Sequence, residues 1–312
     1  MRRDAMIAVD RAVAAYAAGF GLLILLSGRA VARWPLFVIG HGALLAVLLW
    51  LPARGARWEQ SRPGDSLWLS GVRRVGRFVR YTYPALLLTG FFEEVGFFVN
   101  AINPSHPYWF EAYLYAADRK LFGTTPAVAI SAMPAPMLDE LMHALYFAYY
   151  PLIIGGIVIA WIGPKRAGPT PGEGFHTAMT SMMLGFFFAY AWYPFLPARG
   201  PWENRELMSG LREFNGFLFT PLARWIIDRA GVSGGCFPSA HVAGTWGLTV
   251  GLFPVHRKHA VWFGLLAIGL GVSCVYTRYH HAVDVLAGLI VGVAGGLLGC
   301  ALTRHGHTSL LL

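Results

Sequence analysis

The sequence predicts an all-α fold, a polytopic bundle of about eight transmembrane helices. Three observations predict it: too few charges for a water-soluble core, long apolar runs, and no period-two alternation within those runs. Of 312 residues, 56% are hydrophobic and only 13% charged, with a mean hydropathy of +0.50. A soluble domain carries roughly 25% charged residues. In lipid a spanning backbone must satisfy its own hydrogen bonds, which leaves helices and closed barrels. Barrel strands alternate in polarity, and these runs do not.

The first predicted span is Val13–Ser27, with Asp10 and Arg11 at its edge. It follows Met-Arg-Arg, and without a small-residue cleavage site it reads as a retained helix rather than a signal peptide. The second is Pro35–Leu51 and the third Tyr81–Val99, which contains Glu93 and Glu94. Between them the basic stretch Pro52–Arg80 is read as a loop whose arginines meet anionic head groups. A six-span arrangement, with the first and third segments lying in the interface, is the alternative. Asn103–Met137 is amphipathic and broken by prolines, and its aromatics Tyr108, Trp109, Phe110, Tyr113 and Tyr115 suit the lipid–water boundary. The fourth span is Leu138–Ile162, followed by a Pro/Gly turn region at Lys165–Gly174. The fifth is Phe175–Leu196, and the long polar loop Pro197–Gly235 after it is where function is expected to concentrate. Phe237–Val255, Ala260–Tyr276 and Ala282–Thr303 complete the set, all within one membrane domain, residues 1–312.

The formal net charge of +9 is better explained by a membrane than by nucleic acid. Lys and Arg are denser on the side that holds both termini and the loops after the second, fourth and sixth spans. That bias predicts cytoplasmic termini. Cys236, Cys274 and Cys300 form no framework, and no CxxC or Cys/His spacing indicates a metal site.

Ionisable groups in or beside spans are the first candidates for function. Of eleven histidines, His256, His259, His305 and His307 read as solvated. His41, His143 and His176 read as packing or helix–helix hydrogen bonds, and His106 is uninformative. Two motifs differ. Cys236-Phe237-Pro238-Ser239-Ala240-His241 opens the sixth span, and Arg278-Tyr279-His280-His281-Ala282-Val283-Asp284 opens the eighth. In the eight-span map both fall at one face, together with Arg199 in Leu196–Trp202. His280 and Asp284 are four apart and share a helix face, so the carboxylate can fix the imidazole tautomer and leave the other nitrogen as a nucleophile. Ser239 precedes a helix start, where free N–H groups attract anions. His241, one step further in, can protonate a leaving group. Arg199 and Arg278 can each fork onto phosphate oxygens. His281 lacks the four-residue spacing and is read as a neighbour.

The pattern Phe-Pro-Ser-Ala-His, then His-x-x-x-Asp and Val-Leu-Ala-Gly, resembles the type 2 phosphatidic acid phosphatase (PAP2) superfamily. With Asp118-Arg119-Lys120-Leu121-Phe122-Gly123 it looks closest to the branch of the inositol phosphorylceramide synthases. The resemblance covers residues 118–303 and implies a six-helix catalytic core. It implies that His280 forms a phosphohistidine, Asp284 orients it, and His241 protonates the alcohol and then activates the acceptor. Arg199, Ser239 and Arg278 would hold the phosphoryl oxygens, with no metal and no cofactor, at the periplasmic or lumenal face. The partners implied are a lipid phosphate, an alcohol or water acceptor, and membrane lipids. The sequence departs from the family where a lysine is expected and Trp192 stands, and Arg199 is followed by Gly200 before Pro201. The competing reading is a transporter or channel using Glu93 and Glu94.

Overall fold

The apolar runs fold as helices in the computed structural model, which describes residues 6–58, 66–102, 110–163 and 173–308. In chain order they are α1 (Ala8–Ser27), α2 (Trp34–Trp58), α3 (Leu67–Ile102), α4 (Glu111–Phe122), α5 (Pro126–Ala129), α6 (Pro136–Phe147), α7 (Tyr149–Ile162), α8 (Glu173–Trp192), α9 (Arg205–Ser209), α10 (Phe219–Ala230), α11 (Ala240–Leu252), α12 (Arg257–Tyr276) and α13 (Ala282–Thr308). Each predicted span has its helix, the fourth being α6 and α7 end to end. Among the described residues, Ala8–Ala30, Pro136–Ile162, Arg257–Tyr276 and Ala282–Arg304 are long and apolar enough to cross a membrane.

The sequence reading needs correction in two places. Pro52–Arg80 is mostly helix rather than loop, because α2 runs on to Trp58 and α3 starts at Leu67; residues 59–65 lie outside the described residues. The sixth helix starts at Ala240, later than expected, because Ser239 caps it. His106, Tyr108, Trp109 and most of Lys165–Gly174 also lie outside the described residues.

The centre of the bundle is α8, α11 and α13, packed so closely that glycine is required at the crossings. A Cβ on Gly185 or Gly292 would sit 2.5 Å from the carbonyl oxygen of Ala243. One on Gly247 would sit 2.5 Å from that of Ser181, and one on Gly295 2.6 Å from the Gly185 nitrogen. Lipid tails are as apolar as leucine, so helices in a membrane gain little by burying apolar side chains against each other. Close backbone approach at small residues provides dispersion contact instead. The outward faces carry Leu26, Leu36, Trp262 and Ile290, all exposed.

The first and third segments pack into the bundle, which disfavours the interfacial alternative. Tyr16 stacks on Phe187 of α8, and Phe20 meets Phe98 edge to face. Asp10 is fully buried at the start of α1. It accepts the Ile7 N–H at 3.0 Å, both forks of Arg80 at 2.9 and 2.5 Å, and the Tyr83 hydroxyl at 2.8 Å. Arg80 therefore serves an ion pair inside the protein, not a head group. The two acidic residues of α3 diverge. Glu94 is buried with its Oε1 3.4 Å from His41 Nε2, while Glu93 is exposed beside a surface cavity it shares with Arg229. They do not combine into a polar pathway.

Gly292→Leu is expected to destabilise by roughly 3 kcal/mol, because overpacking here meets backbone rather than a movable side chain. Gly40→Leu, where a Cβ meets nothing within 4 Å, is expected to leave stability unchanged. Thermal unfolding in detergent compares the two.

Candidate active site

The site forms where the N-termini of α11 and α13 lie side by side. The Ser239 N–H donates to the carbonyl of Asp284 at 3.1 Å, tying one helix start to the other. Gly288 permits this approach, since a Cβ there would lie 2.6 Å from the Ser239 carbonyl oxygen. The Ser239 hydroxyl is buried and accepts the Val242 N–H at 3.5 Å, the expected helix cap. Tyr193, just after α8, donates its hydroxyl to the Pro238 carbonyl at 2.9 Å and accepts the Ala240 N–H at 3.2 Å. A single side chain thus holds the turn between Cys236 and His241.

These contacts bring the two histidines together. The His241 and His280 rings are 5.7 Å apart, centroid to centroid, and steeply inclined. His280 Nδ1 lies 3.5 Å from Asp284 Oδ2, although His280 precedes α13, which starts at Ala282, so the two meet across the turn before the helix and not on a shared helix face as expected. Asp284 is completely buried. Its Oδ2 accepts the His281 N–H at 2.9 Å and the Cys236 thiol at 2.7 Å. Cys236 Sγ is also 3.3 Å from His280 Nδ1. The fold thus creates a Cys/His/Asp donor set that no local spacing indicated. His241 Nε2 faces the Tyr146 hydroxyl at 3.2 Å, and Tyr149 packs edge-on at 4.6 Å.

The arginines are placed differently from the sequence expectation. Arg199 directs its Nε at Glu111 Oε1, 2.7 Å away, and its Nη2 at the same oxygen. Arg278 is almost wholly buried. Its guanidinium donates to the Ser131 hydroxyl and to the Arg212 carbonyl, each at 2.9 Å, and lies over the Phe214 ring at 4.4 Å. Burial pulls its pKa below the ordinary guanidinium value. Both arginines brace the loops that frame the histidines. Trp192, where a lysine was expected, is exposed.

Residues that local patterns did not single out complete the frame. Asp118 of α4 is fully buried and accepts the N–H groups of Ala282 and Val283 at 3.3 and 3.0 Å, capping α13 from far away in sequence. Its Oδ2 is 3.8 Å from His281 Nδ1, while His281 Nε2 faces the Arg199 carbonyl at 3.3 Å. Burial disfavours the His281 imidazolium, but Asp118 and Asp284 outweigh it and hold the pKa above the usual value. His281 therefore joins the Arg199 loop to α13. Glu140 accepts the N–H groups of Phe217, Leu218, Phe219 and Thr220 at the start of α10. Asp139 takes both forks of Arg212 and the Tyr276 hydroxyl. His143 Nδ1 bonds the Asp139 carbonyl of its own helix at 2.6 Å and lies 3.3 Å from the Thr220 hydroxyl of α10, the helix–helix contact expected of it.

A small cleft of about 50 Å³ opens on His241, His280, Cys236 and Glu203. Burial raises the Glu203 carboxyl above its ordinary value. Beside it lies a chamber of about 280 Å³ lined by Arg212, Arg224, Arg278 and Asp228. Trp202, Ile227 and Tyr279 line both.

Fold and site together define a helical membrane protein with a paired-histidine centre at one end of its bundle. The chain belongs to the PAP2 superfamily, whose family model matches residues 112–298. It is similar to a PA-phosphatase related-family protein of Dictyostelium discoideum, 28% identical over 116 residues, which is 36% of this chain. The chain spans only 21% of that relative's length. It is also similar to a solved structure titled as that of Aquifex aeolicus LpxE, at 18% identity and a TM-score of 0.41. That match covers 56% of this chain and 92% of the other.

Asp118→Ala removes the cap of α13 and is expected to cost about 1–2 kcal/mol. Asp118→Asn, which keeps a carbonyl acceptor, is expected to cost less. Unfolding midpoints in detergent rank the two.

Proposed function

We infer that the protein cleaves a lipid phosphate ester through a phosphohistidine on His280, at the extracytoplasmic face of the membrane. The observation that carries this reading is the pair of histidine rings 5.7 Å apart at two helix N-termini, with Asp284 3.5 Å behind His280. Helix N-termini favour anions, and a carboxylate behind an imidazole stabilises the cation that forms as it attacks.

In the proposed reaction His280 Nε2 attacks phosphorus and the P–O bond to the lipid alcohol breaks. Protonated His241 gives its proton to that departing oxygen. Asp284 holds the Nδ1 proton of the N-phosphorylated ring. His241, now neutral, then takes a proton from water or an alcohol as that oxygen attacks phosphorus and the P–N bond breaks. Ser239, Arg199 and Arg278 serve the phosphoryl oxygens by shaping the loops around them, and the Arg199 side chain, over a third exposed, is the one placed to turn toward an arriving phosphate. No resident metal takes part.

The acceptor decides between phosphatase and phosphotransferase. The adjoining chamber of about 280 Å³, lined by apolar as well as charged side chains, has room for a second alcohol. The compact Arg278-Tyr279-His280 motif resembles that of the sphingolipid transferases. Both features favour an alcohol acceptor, in the inositol phosphorylceramide synthase-like branch. The orientation rests on charge: Arg73, Arg74, Arg77 and Arg80 lie on α3 about three to five turns before Phe92, which lines the histidine cleft. Basic ends stay cytoplasmic, so the cleft faces the periplasm or lumen.

His280→Ala is expected to abolish turnover and His241→Ala to lower it by about 10²–10⁴-fold, with both proteins folded. Near-normal activity in either would rule out the mechanism. Rapid quench with labelled phosphatidic acid, an isoprenyl pyrophosphate, or phosphatidylinositol plus ceramide is expected to trap an acid-labile phosphoprotein in the wild type and none in His280→Ala. A transferase would yield a new phospholipid and little free phosphate. Chelators are expected to leave activity intact; loss restored by added metal would contradict the metal-free scheme.

A further inference from the structure

The thiol of Cys236 has no part in the scheme above, yet it lies inside the group that orients the nucleophile. Sγ of Cys236, Nδ1 of His280 and Oδ2 of Asp284 lie within 4.8 Å of one another, and all three residues are buried. The pairwise separations are 2.7 Å (S to O), 3.3 Å (S to N) and 3.5 Å (N to O). Zinc bonds of about 2.0–2.3 Å at tetrahedral angles set neighbouring donors about 3.3–3.6 Å apart. Two of the three separations already fit, and the third is short because it is a hydrogen bond whose proton metal would displace.

A second observation points the same way. Asp284 Oδ1 is buried and makes no hydrogen bond to any described residue. A fully buried carboxylate with one unpartnered oxygen is an electrostatic deficit that a cation relieves. The charge arithmetic also suits a dry site. One divalent ion, one thiolate and one carboxylate sum to zero, with the neutral imidazole as third ligand, so no net charge is left out of water. The fourth tetrahedral position would take water or a substrate oxygen. A thiolate and an imidazole select a soft or borderline ion such as zinc or cadmium over magnesium or calcium.

We propose that Cys236, His280 and Asp284 form a zinc site that switches the protein off. On binding, the Cys236 thiol releases its proton to solvent. The ring proton of His280 moves from Nδ1 to Nε2 by exchange with solvent, Nδ1 donates its lone pair to zinc, and Asp284 coordinates the metal instead of the ring. The ring then cannot attack phosphorus, because Nε2 now carries the proton and has no free lone pair. The inhibitory role rests on the phosphohistidine reading, while the metal site itself does not.

The test uses the full chain in detergent. Cobalt(II) titrated into the wild type is expected to give a thiolate-to-cobalt charge-transfer band in the near ultraviolet, removed by competing zinc. Cys236→Ser and Cys236→Ala are each expected to remove the band. Both should weaken zinc inhibition of lipid phosphate turnover at least about tenfold, in line with what loss of ligand support costs elsewhere. Cys274 and Cys300 stay in place as controls. Absence of the band in the wild type, or its survival in both variants, overturns the site. A band that depends on Cys236 while saturating zinc leaves turnover unchanged overturns the switch. The cobalt spectrum decides the site even for a protein that turns over none of the lipids tried.

Discussion

The structure depends on how closely α8, α11 and α13 approach at their glycines. Both histidine motifs sit on this packing. His241 is in the first turn of α11, and Asp284 is in the first turn of α13, a few residues after His280. Gly288 sets the distance between these helix starts, and Gly292 and Gly185 hold the helices against the Ala243 backbone further along. Two rings 5.7 Å apart are therefore positioned by main-chain contacts, which vary less than side-chain rotamers. The helix starts of the bundle, with the short turn 277–281 that carries His280, fix the spacing of the proposed chemistry.

Around that centre, buried carboxylates complete helix starts that belong to distant segments. Asp118 caps α13, Glu140 caps α10, and Asp139 gathers Arg212, Tyr276 and the Asn215 N–H. Asp118 and Glu140 satisfy donors that a helix leaves open at its N-terminus, while Asp139 satisfies two side chains and a loop N–H. In a low-dielectric setting an unmet donor costs more than it does near water. These acids therefore tie the long segment between α8 and α11 to the bundle. Arg199 and Arg278 belong to the same frame through Glu111 and Ser131.

Much of this was legible in the sequence because it is local. The apolar runs are read from composition, the nearness of His280 to Asp284 from a four-residue interval, although His280 precedes α13 and does not share its face, and the cap at Ser239 from a polar residue ahead of an apolar run. What escaped is long range. Cys236 meets His280 across 44 positions and Asp118 meets Val283 across 165, and no periodicity encodes either contact. The partners of the two arginines escaped for a related reason. Local sequence shows that a guanidinium is near the site but not which carboxylate or carbonyl reaches it first. Pro52–Arg80 was read as a loop because its charges hid the helical continuation of α2 and α3. The family-like segment beginning at Asp118 gains a physical reason from the structure, since its aspartate caps the helix whose first turn holds Asp284.

One polar feature shapes both the proposed catalysis and its proposed inhibition. Asp284 is completely buried, and its Oδ2 is shared by the His281 N–H, the Cys236 thiol and the His280 ring. A carboxylate so placed stabilises positive charge wherever it forms nearby, since little water screens it. Charge arising on the ring during attack would be stabilised in this way, and so would charge brought in by a metal ion. The thiol occupies a position between the two, holding the acid by a hydrogen bond while leaving the ring 3.5 Å off. An alanine there would leave Asp284 one donor fewer and remove the 3.3 Å contact to the His280 ring, whereas a serine would keep a donor and lose the soft ligand. Those two substitutions separate the hydrogen-bonding role of position 236 from its affinity for metal. The proposed phosphoryl transfer does not require the side-chain chemistry of that position.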